Sequence, residues 1–241
     1  MFYFDEINSK KILKSTLIKN AEVFFTTKES FIKTKDESLF NTVRKNKKDI
    51  CSCLKIKEED FISPEQTHGK RVCSADKTRT FPDTDALIIT NPKRAVYLNY
   101  ADCTPVILYD IKNNKGAIIH AGWRGSAAKI CVETLRIMES NPDDIFALIG
   151  PCVCFECFET GSEVINALEK TVKNKDGLFR EKNGRMYADL KNINARQLKE
   201  QGVKNIDICP YCTCCNNDLF FSYRLENKTT NRISAVLKIN P

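Results

Sequence analysis

Apolar residues recur along this chain with two periods. Short runs rich in isoleucine, leucine, valine and phenylalanine, bounded by Pro, Asn, Asp or Gly, cover residues 2–4, 21–27, 85–90, 95–99, 106–110, 117–120, 145–149, 220–224 and 233–239. Their length and composition predict strands. A helical period marks four further segments. Residues 46–55 carry Ile50 and Leu54 on one face, and residues 126–140 align Ala127, Ile130, Thr134 and Met138 behind Ser126 as N-cap. Residues 162–173 and 190–201 complete the set, the last stopped by Gly202. Strands and helices mix without strict β-α alternation, which predicts an α+β fold with a mixed β-sheet flanked by helices. No repeat and no Pro/Gly/Ser linker interrupts residues 1–241, so the chain reads as a single domain.

The polar turn at residues 112–116 joins two of these runs into a hairpin. Folding it about Asn113 and Asn114 sets opposite each other residues whose numbers sum to about 227, which brings Cys103 and His120 to the same open end. A one-residue slip would reverse every facing, so the hairpin alone does not decide which way each side chain points.

That end of the hairpin matters because the chain has only two histidines. They lie in Gln66-Thr67-His68-Gly69 and His120-Ala121-Gly122-Trp123-Arg124-Gly125, with Ala101-Asp102-Cys103-Thr104-Pro105 between them. Two neutral imidazoles and one thiolate, with a fourth position open, form a donor set used by catalytic zinc. His68, Cys103 and His120 are therefore the candidate metal ligands. Gly122 to Ser126 leads into a predicted helix, where free backbone N–H groups and the fork of Arg124 would hold a phosphate or another oxyanion. Asp83, Asp85, Asp102 and Glu159 are the nearest carboxylates, each able to orient a histidine or act as a base, although turn and cap roles are the commoner use of such aspartates. Arg124 and Asp102 are the candidate catalytic residues.

Charge and cysteine content narrow the classes. The net charge of +7 is scattered apart from Arg44, Lys45, Lys47 and Lys48, and no stacked aromatics accompany it, which suits phosphate-bearing small molecules and argues against a nucleic-acid partner. No stretch has the roughly 18 apolar residues of a membrane span and the N-terminus lacks signal-peptide order, so a cytoplasmic protein with no membrane partner is expected. Twelve cysteines in a chain of this length and compartment imply reduced thiols. Cys152, Cys154, Cys157, Cys209, Cys212, Cys214 and Cys215 cluster late in the chain. Pairs Cys154-x-x-Cys157 and Cys209-x-x-Cys212 could ligate a structural zinc, yet about fifty residues separate them, against roughly 15–20 in a compact zinc ribbon. Buried or incidental thiols are the expectation.

Taken together, these segments resemble the family first named for a multicopper polyphenol oxidase (laccase) domain, now described as purine nucleoside phosphorylases with adenosine deaminase activity, whose bacterial members are known as peptidoglycan editing factors. The matching stretches are QTHG at 66–69, TDALI at 84–88, ADCTPVILYD at 101–110, IHAGWRG at 119–125, GP at 150–151, FETG at 158–161, DL at 189–190, CT at 212–213 and FFSYR at 220–224. The resemblance implies zinc held by His68, Cys103 and His120, phosphorolysis of adenosine, inosine and methylthioadenosine, and hydrolytic deamination of adenosine. Purine nucleosides and phosphate are then the expected partners, and a monomer or weak homodimer the expected state. Copper oxidase chemistry is excluded by counting, since a blue-copper site plus a trinuclear cluster takes about ten imidazoles and this chain has two.

The chain departs from the family near its N-terminus. A Phe-Ser-x-Arg-x-Gly-Gly loop is replaced by residues 25–30, a Leu-Asn-Leu-Gly segment by residues 38–42, and an Asn-Arg pair by Asn46-Lys47, which loses the bidentate fork. After Arg224 the usual Arg-Asp-Gly is missing. Phosphorolysis, which must hold a second anion, is the activity these changes put in question. Two alternatives come from other classes. One is a metal-free cysteine hydrolase with Cys103 as nucleophile and a histidine as base, acting on amide or cell-wall peptide substrates. The other is a zinc-containing nucleoside-binding protein without turnover.

Overall fold

The short apolar runs pair into sheets, and helices cover the outer faces of those sheets. The computed structural model describes residues 1–241. Its elements are β1 (Phe2–Ile7), β2 (Lys10–Ser15), β3 (Ala21–Thr26), α1 (Phe40–Leu54), β4 (Phe61–Ile62), β5 (Val72–Ser74), β6 (Ala86–Ile89), β7 (Ala95–Tyr100), β8 (Thr104–Asp110) and β9 (Lys115–Ala121). They continue with α2 (Trp123–Ala127), α3 (Ile130–Met138), β10 (Ile145–Ile149), β11 (Glu159–Thr160), α4 (Ser162–Glu169), β12 (Phe179–Lys182), β13 (Arg185–Ala188), α5 (Leu190–Glu200), β14 (Asn205–Ile208) and β15 (Ile233–Ile239).

The α+β class stands. Its strands divide into two six-stranded sheets, ordered β1-β2-β3-β15-β7-β4 and β14-β10-β8-β9-β6-β5, with a small third sheet β11-β13-β12. The two large sheets share one core, in which Phe25, Leu98 and Leu237 of the first meet Leu87, Ile107, Ile118 and Leu148 of the second. The opposite face of the second sheet, including Val106, Ala117, Ile119 and Ala147, is covered by Ile130 and Leu135 of α3 and Leu198 of α5. On the other side, Phe24, Tyr97 and Val236 of the first sheet pack under Ile50 and Leu54 of α1. The result is four layers, helix, sheet, sheet, helix, and it follows from strands buried on both faces. Gly116 permits the close approach of the sheets, since a Cβ there would stand 2.8 Å from Leu237.

The β8–β9 hairpin pairs Thr104 with Ala121 and Asp110 with Lys115. This register is two residues from the expected sum, an even shift that leaves the facing parity unchanged. His120 therefore shares the inter-sheet face with Ile118, at the open end of the sandwich.

Three expected elements differ. The helix expected over residues 126–140 is broken by Ala128 and Lys129, the latter left-handed at φ 56°, and its first piece begins at Trp123. Ser126 is therefore not an N-cap. It is buried inside α2 and accepts a 2.9 Å hydrogen bond from Asn194 Nδ2, while Gly122 takes the cap position. Residues 220–224 are irregular and end in a turn, because Phe220 and Phe221 enter the central core from a loop and leave no regular ladder. Helix α1 starts six residues earlier than the Ile50/Leu54 pair suggested, since its first turns are solvent-facing and carry no apolar period.

Candidate metal centre

Asp85, immediately before β6 and completely buried, organises the site. Its Oδ2 accepts hydrogen bonds from the backbone N–H of Gly69 at 2.7 Å and of Thr67 at 3.2 Å, and its Oδ1 accepts from His68 N at 3.0 Å. Three successive N–H groups on one carboxylate fold the 67–69 loop and hold His68 at φ 63°, a left-handed conformation that the loop must pin in place. Gln66 fixes the near side of that loop, donating to Asn99 O at 2.9 Å and accepting from Asn99 N at 2.8 Å on β7. The Gln-Thr-His-Gly segment is thus tied to both sheets.

The same Asp85 Oδ1 lies 2.7 Å from His120 Nδ1. An ionised carboxylate only accepts, so Nδ1 carries a proton, and Nε2, once deprotonated, offers its lone pair to the centre. Cys103 sits one residue before β8, opposite Gly122 at the end of the hairpin. The donor atoms of His68, Cys103 and His120 all lie within 4.8 Å of one another, and the two imidazoles meet edge to face with centroids 4.7 Å apart. Gly122 leaves this space open, because a Cβ would come within 3.0 Å of Cys103 Sγ and 3.3 Å of His68 Cδ2.

Electrostatics agree with the geometry. Burial alone would raise the Cys103 thiol, but the charge and hydrogen bond of His120, with His68, draw it down to about 6. Burial would lower His120; the facing Cys103 thiolate and Asp85 instead raise it to about 9. For Asp85 burial is opposed by the His120 and Gly69 hydrogen bonds, and its carboxyl falls below its ordinary value. Without a metal, the site holds a thiolate–imidazolium pair. Two imidazoles and an ionisable thiolate at this spacing fit a zinc ion with an open coordination position, and the hydrogen-bonded second nitrogen of His120 fits the same use.

The other candidates are distributed around this centre. Arg124, on α2, is exposed and stacks its guanidinium 4.2 Å from the Trp123 ring centroid, free of protein hydrogen bonds that would occupy its fork. Asp102 takes φ 78° and has both oxygens engaged, Oδ1 by Thr213 Oγ1 at 2.6 Å and Oδ2 by Arg224 N at 2.7 Å. It ties the 213–224 segment to the residue next to Cys103. Asp83 lies exposed in a turn, and Glu159 on β11 pairs with Arg185 at 3.3 Å; neither joins the centre. Arg232 escaped the sequence reading. Half-buried just before β15, its guanidinium is within the electrostatic reach of Cys103, Tyr223 and Asp102. A lone arginine in a loop has no periodic signal, and only its place ahead of an apolar run set it apart.

The altered N-terminal segments take defined places. Lys28 N donates to Leu219 O at 2.8 Å and its ammonium meets Glu226 at 2.7 Å, so residues 27–31 pack on the segment that Asp102 holds. Lys47 instead stands over the Tyr97 ring, 5.2 Å away on the outer face of the first sheet. A cleft of 360 Å³ lined by Lys19, Asn20, Tyr109, Asn114 and Asn240 lies at the far end of the β8–β9 hairpin and shares no residue with the centre.

The cysteines correct one expectation. Cys154, Cys157, Cys212 and Cys215 place their sulfurs within 4.8 Å of one another, whereas Cys209 is buried in the central core away from them. These four are gathered thiols rather than incidental ones.

A family model described as multi-copper polyphenol oxidoreductase laccase matches residues 30–240. A purine nucleoside phosphorylase of Bacteroides thetaiotaomicron is 32% identical over 82% of this chain and 80% of its own. Adenosine deaminase RL5, from an unknown prokaryotic organism, is 32% identical over 71% of this chain and 72% of its own. Among solved structures, YlmD from Geobacillus stearothermophilus superposes with a TM-score of 0.88 at 25% identity, covering 99% of both chains.

Proposed function

We propose that this chain, which belongs to the family described as multi-copper polyphenol oxidoreductase laccase, is a zinc-dependent purine nucleoside enzyme that cleaves adenosine, inosine and methylthioadenosine with phosphate and deaminates adenosine. The observation that carries the reading is the convergence of His68, Cys103 and His120 under the control of Asp85. The relatives named purine nucleoside phosphorylase and adenosine deaminase supply the substrate class. With two histidines in the whole chain, the oxidase name in the family description does not describe its chemistry.

His68, Cys103 and His120 would hold the zinc. When bound, it supplies Lewis acidity and lowers the pKa of water at the site. The chain supplies the rest. Asp85 keeps the His120 proton on Nδ1 and fixes the His68 loop, so the donors are preorganised before metal arrives. Arg124 presents an unoccupied guanidinium fork on a rigid aromatic support, suited to the oxygens of phosphate, and Arg232 adds a positive charge near Cys103. Asp102 is a positioning residue, keeping the segment that carries Arg224 against Cys103. We place the enzyme, as one domain, in the cytoplasm, a compartment that suits twelve unpaired cysteines.

The testing experiment incubates the protein with adenosine, with and without phosphate, and resolves products by chromatography. Adenine formed only with phosphate, and inosine formed without it, support the two reactions separately. A cysteine hydrolase would instead lose activity to iodoacetamide whether or not metal is present, since a free Cys103 thiolate has no ion to protect it.

A further inference from the structure

The four gathered cysteines lie outside the centre just described, and the fold explains how they meet. Strands β10 and β14 run parallel, Ile149 beside Ile208, and the ladder continues through an isolated parallel bridge between Cys152 and Cys212. Parallel strands place their following turns at the same end. The turn after β10 carries Cys154-x-x-Cys157 and the turn after β14 carries Cys212-x-x-Cys215, so pairs separated by about fifty residues become neighbours. The sequence spacing that disfavours a compact zinc ribbon is irrelevant once the sheet supplies the closure.

The geometry points to a second metal site: we propose that Cys154, Cys157, Cys212 and Cys215 bind a structural zinc ion as a tetrathiolate. A tetrahedral ion with Zn–S near 2.3 Å sets its sulfurs about 3.8 Å apart. Here Cys157 and Cys215 are 3.6 Å apart and Cys154 and Cys215 4.0 Å apart, and all four lie within 4.8 Å. Disulfides need about 2.05 Å. Cys212 Sγ, the buried member, accepts hydrogen bonds from the backbone N–H of Cys154 at 3.2 Å and Cys215 at 3.5 Å. The first bond crosses from one turn to the other and the second closes the 212–215 turn on its own sulfur, the outer-sphere support that a thiolate ligand needs. Arg224 closes one side, donating to Cys157 O at 3.2 Å.

A redox-inert ion suits what this site holds. Thr213, between two of the ligands, donates to Asp102 at 2.6 Å, and Asp102 adjoins Cys103. The zinc would fix the 212–215 turn and through it the loop bearing the Cys103 ligand, while taking no part in turnover. Cys214 stays out of the set, with its sulfur 3.1 Å from Ser222 Oγ.

The test counts metal by elemental analysis in full-length protein purified with reductant and no added metal. Wild type is expected to hold about two zinc ions per chain. His120→Ala and a Cys157→Ser/Cys215→Ser double variant are each expected to hold about one. Cobalt(II) exchanged into His120→Ala should give the strong near-ultraviolet charge transfer of a four-thiolate site, a readout that survives even if the cysteine variant fails to fold. A single zinc in wild type that His120→Ala abolishes overturns the proposal, as does iron in its place or recovery of the four thiols as disulfides. A zinc count lowered by the cysteine variant and unaffected by His120→Ala would leave this site standing and sink the catalytic one.

Discussion

Asp85→Asn is the sharpest single change to the preorganised centre. The carboxylate is fully buried and accepts from three backbone N–H groups and from His120 Nδ1. An amide offers one oxygen. If that oxygen faces His68 N and His120, the amide nitrogen confronts the Gly69 and Thr67 donors; if it faces Gly69, the amide donates to His120 Nδ1 and moves the imidazole proton to Nε2, the atom the metal needs. Either arrangement removes about two charge-assisted hydrogen bonds, each worth roughly 1.5–3 kcal/mol, and leaves buried donors unsatisfied. The expected cost in the metal-free protein is about 3–5 kcal/mol, with zinc affinity at His68, Cys103 and His120 falling by about 10–100-fold. Urea unfolding of the metal-free form reads the first, and competition with a chromogenic chelator the second. Asp83→Asn, in the exposed turn two residues earlier, is the control and should change neither. Wild-type zinc affinity and an unchanged urea midpoint in Asp85→Asn would refute the reasoning.

Gly122→Ala introduces a methyl at an ordinary φ of −67°, so backbone strain is absent and only the close contacts with Cys103 Sγ at 3.0 Å and His68 Cδ2 at 3.3 Å act; weaker zinc binding with an unaltered circular dichroism spectrum is expected, and full affinity would show that the hairpin end yields. Arg124→Lys keeps the charge and loses the fork, so phosphate-dependent cleavage should fall more than deamination; equal loss of both would assign Arg124 to the purine or the fold. In metal-free protein the Cys103 thiol is lowered to about 6 and His120 raised to about 9. The Cys103 contribution, complete above the unfolded thiol's 9.0, is lost as pH falls through about 6, and the His120 contribution, complete below the unfolded imidazole's 6.5, is lost as pH rises through about 9. The two offset each other, so the urea midpoint should stay nearly level from about pH 6.5 to 9, and a midpoint that moves steeply across that range would contradict the ion pair.

The convergence of His68, Cys103 and His120 was legible because histidine is scarce here and because a hairpin through Asn113 and Asn114 must bring residues near 103 and 120 together. The α+β class followed from short apolar runs, and the Gly202 stop from a glycine placed just past the helical period, where the structure shows it left-handed at φ 94°. The choice of Asp85 among four carboxylates was not legible, since it depends on a loop folding back over β6. The thiol cluster was mispaired for a similar reason. Local spacing joins Cys209 to Cys212, but the β10–β14 ladder sends Cys209 into the core and brings Cys215 to the turn. The short edge strands β5 and β12, and β13 between β11 and β12, were missed because their pairing, rather than their composition, makes them strands. The break at Lys129 was hidden because the apolar period runs across it.

The most direct test of the central claim measures adenosine turnover, with and without phosphate, in wild type and His120→Ala, each with its zinc content determined on the same sample. The account predicts purine base or inosine from wild type, and neither from His120→Ala, which is folded and short of about one zinc. Adenosine left intact by zinc-loaded wild type under both conditions, or turned over equally by His120→Ala, would contradict it.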